Sequence, residues 1–223
     1  MGKPLFFIFL FFFFINVHAQ KRCSIAEYTE NQLLENPLLQ NQLDDVKRFI
    51  EGKLGAAPVI ARTAQVPDLI KVPVVVHVLY HTPDENVPLQ AIENMIAALN
   101  RDFRKRNSDT ANTPAAFKSL VADMGFEFKL ATMAPNGAGT NGIIKKYTPI
   151  KYWISDDKMK FSSDYGSDAW DSKSYLNIWI CNMKDVLGYS TLPGLDARKD
   201  GIVISIEDFY NPYGTTPGLN DHR

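Results

Sequence analysis

Two hydrophobic rhythms alternate along this chain. Ile25, Tyr28, Leu33, Leu34, Leu38, Leu39, Leu43, Val46 and Ile50 recur at helix-like spacing. Asn36-Pro37 interrupts them, because the residue before a proline is pushed out of the helical region, so two helices are expected between residue 20 and about residue 55. Val72-Pro73-Val74-Val75-Val76-His77-Val78-Leu79-Tyr80 is different: a continuous, Val-rich run that predicts a strand buried on both faces. Pro83 and Asp84 turn the chain, and Pro88 suits the first turn of a helix, where a missing N–H is harmless. Leu89, Ile92, Met95, Ile96, Leu99 and Phe103 form one apolar stripe and predict a helix to about Arg106. Phe126 to Met133 predicts a strand with Phe126, Phe128 and Leu130 on one face. Asn136-Gly137 to Asn141-Gly142 reads as a turn-rich link. Ile143 to Thr148, Tyr175 to Cys181, Val186 to Leu192 and Ile202 to Ile206 follow as further strands. Strand, helix, then mostly strands is the pattern of an α/β fold with a mixed sheet backed by a helix.

The N-terminus changes the picture. Met1-Gly2-Lys3 is a short positive start, Leu5 to Val17 is almost wholly apolar, and Val17-His18-Ala19 puts compact residues before a cut. This is the layout of a signal peptide over residues 1–19. The apolar run of about 13 residues is short of the roughly 20 that span a bilayer. A secreted protein with no membrane residence after cleavage is therefore expected. Gly55 to Pro67 carries little charge and reads as a linker, with Arg62 as a processing point. The compact domain is expected from residue 70 onward. A net charge of -1 and the lack of a basic run argue against a nucleic-acid partner.

Few residues offer chemistry. His77 and His81 are four apart, but on a strand rising about 3.3 Å per residue they stand roughly 13 Å apart. Zinc–nitrogen bonds of about 2 Å do not bridge that gap, so both are read as packed or rim histidines. His222 has no second ligand after it. There is no G-x-S-x-G turn, no phosphate-cradling loop and no C-x-x-C. Asp156, Asp157, Asp164, Asp168 and Asp171 share a Ser/Gly-rich loop, which reads as solvated or as a calcium loop, although calcium-loop spacing is absent. Cys23 and Cys181 could pair in an oxidising compartment, but separate roles fit better, with Cys181 a buried, inert thiol on its strand.

From Val72 to Ile206 the order of segments resembles the pappalysin family of metzincin zinc metalloproteases. The run Val72 to Tyr80 is similar to that family's first strand, and Leu99-Asn100-Arg101-Asp102-Phe103-Arg104 to the end of its backing helix. Asn112-Thr113-Pro114-Ala115-Ala116-Phe117 and Phe126-Glu127-Phe128-Lys129-Leu130-Ala131 resemble the following loop and second strand. The most specific matches are Gly166-Ser167-Asp168-Ala169-Trp170-Asp171 and Tyr175-Leu176-Asn177-Ile178-Trp179-Ile180-Cys181-Asn182. Leu187-Gly188-Tyr189 and Asp200-Gly201-Ile202-Val203-Ile204 complete the set.

The resemblance implies a zincin-like N-terminal subdomain, incomplete at its C-terminus and preceded by a helical pro-segment. Residues 20–69 would be pro-segment and linker, and 70–223 the first part of a catalytic domain. It further implies that Val186 to Leu192 forms the sheet edge over a cleft, where a peptide substrate adds as an antiparallel strand against Leu187, Gly188 and Tyr189. Zinc would be held by a later helix carrying H-E-x-x-H-x-x-G-x-x-H. This chain has no H-E dipeptide. It is therefore expected to hold no catalytic residue and to bind no catalytic zinc by itself, and to leave the apolar residues of Tyr175 to Cys181 and Ile202 to Ile206 partly uncovered. Lys21-Arg22-Cys23-Ser24 resembles the Arg-Cys-Gly cysteine switch, with Ser24 in place of Gly, which implies that Cys23 is a zinc ligand in a longer zymogen. The alternative is a secreted non-catalytic module that binds peptide or inhibits a protease.

Overall fold

The computed structural model describes residues 22–56, 69–192 and 196–209. The leader, Arg62 and His222 lie outside the described residues.

Two helices, α1 (Ile25–Glu35) and α2 (Leu39–Ala56), form the N-terminal segment, with the break at Asn36-Pro37 where it is expected. They follow a two-residue strand, β1 (Arg22–Cys23). The domain proper runs β2 (Ile70–Tyr80), α3 (Leu89–Phe103), β3 (Phe126–Leu130), β4 (Ile143–Tyr147), β5 (Leu176–Cys181), β6 (Val186–Ser190), β7 (Ile202–Ser205) and α4 (Ile206–Phe209). The sheet order is β1-β6-β7-β5-β2-β3, with β4 also paired to β2. β2 carries β5 on one edge; β3 and then β4 share the other, with Val74 opposite Leu130 and Val76 opposite Ile143. Pro73 is tolerated because pairing with β5 starts only at Val74. These pairs are parallel, and only β6 and β7 run antiparallel among the described strands.

The buried run of β2 explains its sequence. Val74, Val76 and Val78 face a core with Ile178, Ile180, Phe128 and Ile92, closed by α3 and α4. Leu79 faces the opposite core with Trp179, Cys181, Tyr189, Val203, Trp153, Met159 and Met183. α3 ends at Phe103 rather than near Arg106, because Lys105 takes a left-handed φ of 53°. Asn100 on α3 reaches down to the free edge of β3: its Oδ1 accepts from Phe128 N–H at 2.7 Å and its Nδ2 donates to Phe128 O at 2.8 Å. One side chain thus supplies the two bonds of a neighbouring strand and blunts that edge.

The apolar residues expected to be partly uncovered divide: Tyr175, Leu176, Ile202 and Ile204 are only half-buried, whereas the others are covered. Ile178 and Ile180 are buried, and Ile206 and Phe209 of α4 pack into the same core. The chain turns into a helix directly after β7, which places those two side chains over the sheet.

Candidate functional site

The sheet edge expected to be open is occupied by the chain's own N-terminal segment. β1 pairs with β6 in parallel, Arg22 opposite Val186 and Cys23 opposite Gly188. The register slips by one residue there, so Leu187 stands in a bulge and remains exposed. Ser24 N–H donates to Gly188 O at 3.0 Å. Gly188 itself has φ +153°, and a Cβ on it would lie 2.2 Å from Val203 O. Glycine is therefore what lets the edge strand sit this close to β7.

Cys23 and Cys181 are not bonded to each other. Cys23 is exposed at this edge, whereas Cys181 is fully buried, and burial pushes its thiol well above the ordinary range. Tyr189, the third residue expected to meet a substrate strand, is buried, and its ring lies 4.6 Å from that of Tyr28.

Beneath the two tyrosines is a charged cluster that the aspartate-rich loop did not announce. Asp157 is fully buried, in a left-handed conformation (φ 65°) that short polar side chains tolerate. Its carboxylate accepts from Tyr28 Oη at 2.8 Å and Tyr189 Oη at 2.9 Å, and pairs with Lys160 Nζ at 2.9 Å and Lys199 Nζ at 3.2 Å. Lys160 is also fully buried, donates to Lys199 O, and lies over the rings of Tyr28, Trp179 and Tyr189. Burial draws its ammonium below the usual lysine range, with Asp157 pulling the other way. Burial, reinforced by Asp157, pushes both phenols up, so each stays a donor. The reading of a solvated loop is thus corrected at Asp157.

The other aspartates do not converge on a cation. Asp156 pairs with Lys158, Asp164 accepts from Ser163, Asp168 caps Ser162 N–H, and Asp171 takes Lys173 N–H and Ser174 Oγ. Each is committed to protein donors, and nothing in this loop has the shared oxygen cage that calcium needs.

His77 and His81 also have protein partners. His77 Nδ1 lies 2.8 Å from Ser167 Oγ and Nε2 lies 3.2 Å from Asn177 Oδ1. Asn177 Oδ1 also accepts from Trp170 N–H, so it is an acceptor here and His77 carries its proton on Nε2. His81 Nδ1 lies 3.1 Å from Thr148 O. Among the described residues no group of three His, Cys, Asp or Glu side chains is placed to hold a metal ion, and no helix is long and apolar enough to cross a membrane.

This architecture, a twisted mixed sheet with a helical N-terminal segment across its edge, is a zincin-like fold of the metzincin metalloprotease type. Solved structures similar to it include those of mirolysin. A promirolysin mutant from Tannerella forsythia is 36% identical, covers 85% of this chain and 61% of its own, and gives a TM-score of 0.70. Mature mirolysin from Tannerella forsythia in complex with a cleaved peptide is 42% identical over 64% of this chain and 54% of its own, with a TM-score of 0.61. Mirolysin in complex with compound 9 is 42% identical over 64% of this chain and 55% of its own, with a TM-score of 0.62. The chain thus spans between half and two thirds of the proteins it resembles. No protein-family model and no curated protein matches it.

The sequence pointed to the edge strand but not to what lies on it. Tyr28 was visible only as one position of a helical stripe. Asp157 and Lys160 are spaced like any i, i+3 surface pair, and no local signal marks them as buried.

Proposed function

We propose that this chain is the N-terminal, pro-segment-bearing part of a secreted zinc metalloendopeptidase of the pappalysin group. The observation that carries the reading is the parallel seating of Arg22–Cys23 on β6, in a fold whose neighbours include a proenzyme and a peptide complex of one protease. A substrate strand would add to this edge antiparallel, using the backbone of Leu187, Gly188 and Tyr189. The N-terminal segment takes the same edge in the opposite direction, so its peptide groups meet the edge with reversed polarity. It excludes substrate while not lying as substrate would.

Among the described residues, Cys23 fits zinc: it is a free, exposed thiol beside Gly188, and a thiolate there is a zinc donor. Bound by the helix ligands of a longer chain, zinc would supply Lewis-acid activation of water. The residues of this chain would do other work. β6 binds and orients the peptide, Gly188 keeps the edge flat against β7, and Cys23 holds the latent state. Residues 1–223 contain no H-E dipeptide, and without those helix ligands and a general base they would hydrolyse no peptide by themselves.

The test compares residues 1–223 with the same chain extended by the reading frame that follows Arg223. The extended chain is expected to hydrolyse casein in a chelator-sensitive way, faster after Cys23→Ala, and the 223-residue chain to be inert. An extension without H-E-x-x-H, or hydrolysis by residues 1–223, overturns the reading.

A further inference from the structure

Helix α1 sends one side chain into the body of the protein. Tyr28 is 1% exposed, whereas Glu27, Glu30 and Asn31 beside it are exposed. The walls of its seat are the Tyr189 ring and the Lys160 ammonium, 5.8 Å from the Tyr28 centroid. Its floor is the Asp157 carboxylate. Among the described residues, every other group that holds Asp157 comes from outside the N-terminal segment: Tyr189, Lys160 and Lys199. The seat therefore belongs to the domain, and Tyr28 is its occupant.

The chemistry of the seat selects among occupants. Phenylalanine would fill the aromatic wall but remove one of the two donors to Asp157 Oδ2, leaving that buried oxygen to Lys199 Nζ alone, and losing a bond to a buried charged acceptor is costly. Lysine or arginine would bring a third cation against Lys160 and Lys199, where one carboxylate already serves two. A phenol supplies a ring for Tyr189 and a neutral O–H for Asp157 Oδ2.

We propose that the Tyr28 seat is a tyrosine-recognition site of the domain, filled in cis by Tyr28. When residues 22–35 lift away, the seat binds the same phenolic side chain presented by a detached N-terminal segment. The site stands on its own geometry, and a chain that cleaves nothing would still carry it.

The full chain with Tyr28→Ala provides the emptied seat, and p-cresol, toluene and n-butylamine serve as probes of ring plus hydroxyl, ring alone and cation. At about a hundredfold excess over its Kd, p-cresol is expected to raise Tm by about 5 °C. Toluene is expected to bind about tenfold more weakly, for want of the bond to a charged acceptor, and butylamine to give no shift. No shift with p-cresol, or toluene binding as tightly, overturns the proposal. Should Tyr28→Ala fail to fold, Tyr28→Phe decides: amide exchange of Ser24 is expected to quicken about tenfold while β2 and β5 keep their protection. Unchanged exchange at Ser24 overturns the proposal equally.

Discussion

The imidazole of His77 stacks on the indole of Trp179, ring centroids 4.9 Å apart and planes 13° from parallel, with both rings wholly buried at the centre of the sheet. Burial lowers the His77 pKa from 6.5 to about 4, with the bond to Asn177 opposing. The folded protein therefore keeps His77 neutral where the unfolded chain would protonate it. The unfolded state binds more protons, so stability falls as pH drops from about 6.5 towards 4 and this loss is complete below the folded value. A shift of this size corresponds to roughly 3 kcal/mol. Urea denaturation between pH 7.5 and pH 4 should show this loss, and His77→Gln should be less stable at pH 7.5 yet flatter across the window. An equally steep pH dependence in the variant would remove His77 as the cause.

Gly188→Ala forces a methyl group to within 2.2 Å of Val203 O, at a φ of +153° that side chains avoid. Both β6–β7 pairing and the docking of β1 depend on this position. A loss of about 3 kcal/mol is expected, measured by denaturation, with amide exchange of Ser24 rising together with that of β6. A neutral substitution would mean that the edge strand can shift without cost.

The buried pair Asp157–Lys160 should be strongly coupled. Asp157→Asn leaves Lys160 buried beside a neutral amide and is expected to cost about 3–5 kcal/mol, as is Lys160→Met, which strips Asp157 of its closest cation. The double variant should recover part of that loss, because neither charge is then left alone. A double-mutant cycle by chemical denaturation reads the coupling directly, and additive losses would show that the two groups do not act as a pair.

The thiols should differ sharply in reactivity. Cys23 is exposed and Cys181 is buried with its Sγ 3.5 Å from Met183 Sδ. Under native conditions a thiol reagent should label Cys23 alone, and Cys181 should react only after denaturation. Rapid native labelling of Cys181 would contradict the closed core around Trp179.

Much of the fold was legible from periodicity. The run Val72 to Tyr80 announced a strand buried on both faces, and β2 is that strand. Asn36-Pro37 announced the break between α1 and α2. The alternation of Phe126, Phe128 and Leu130 fixed which face of β3 meets α3. These signals survive because they are local: a proline restricts its own neighbours, and a strand alternates faces whatever it pairs with. The site was less legible. Asp157 and Lys160 look like solvated charges in a loop, and β6 looks like an open edge.

The amino-acid order alone determined where the chain coils, extends and turns, and which side of each element is apolar, because those are properties of successive residues. Only the tertiary structure decided that Ser24 lies against Gly188 and that Tyr28 reaches Asp157. Those pairs are separated by well over a hundred positions, and no short-range pattern encodes which distant donor will satisfy a buried carboxylate.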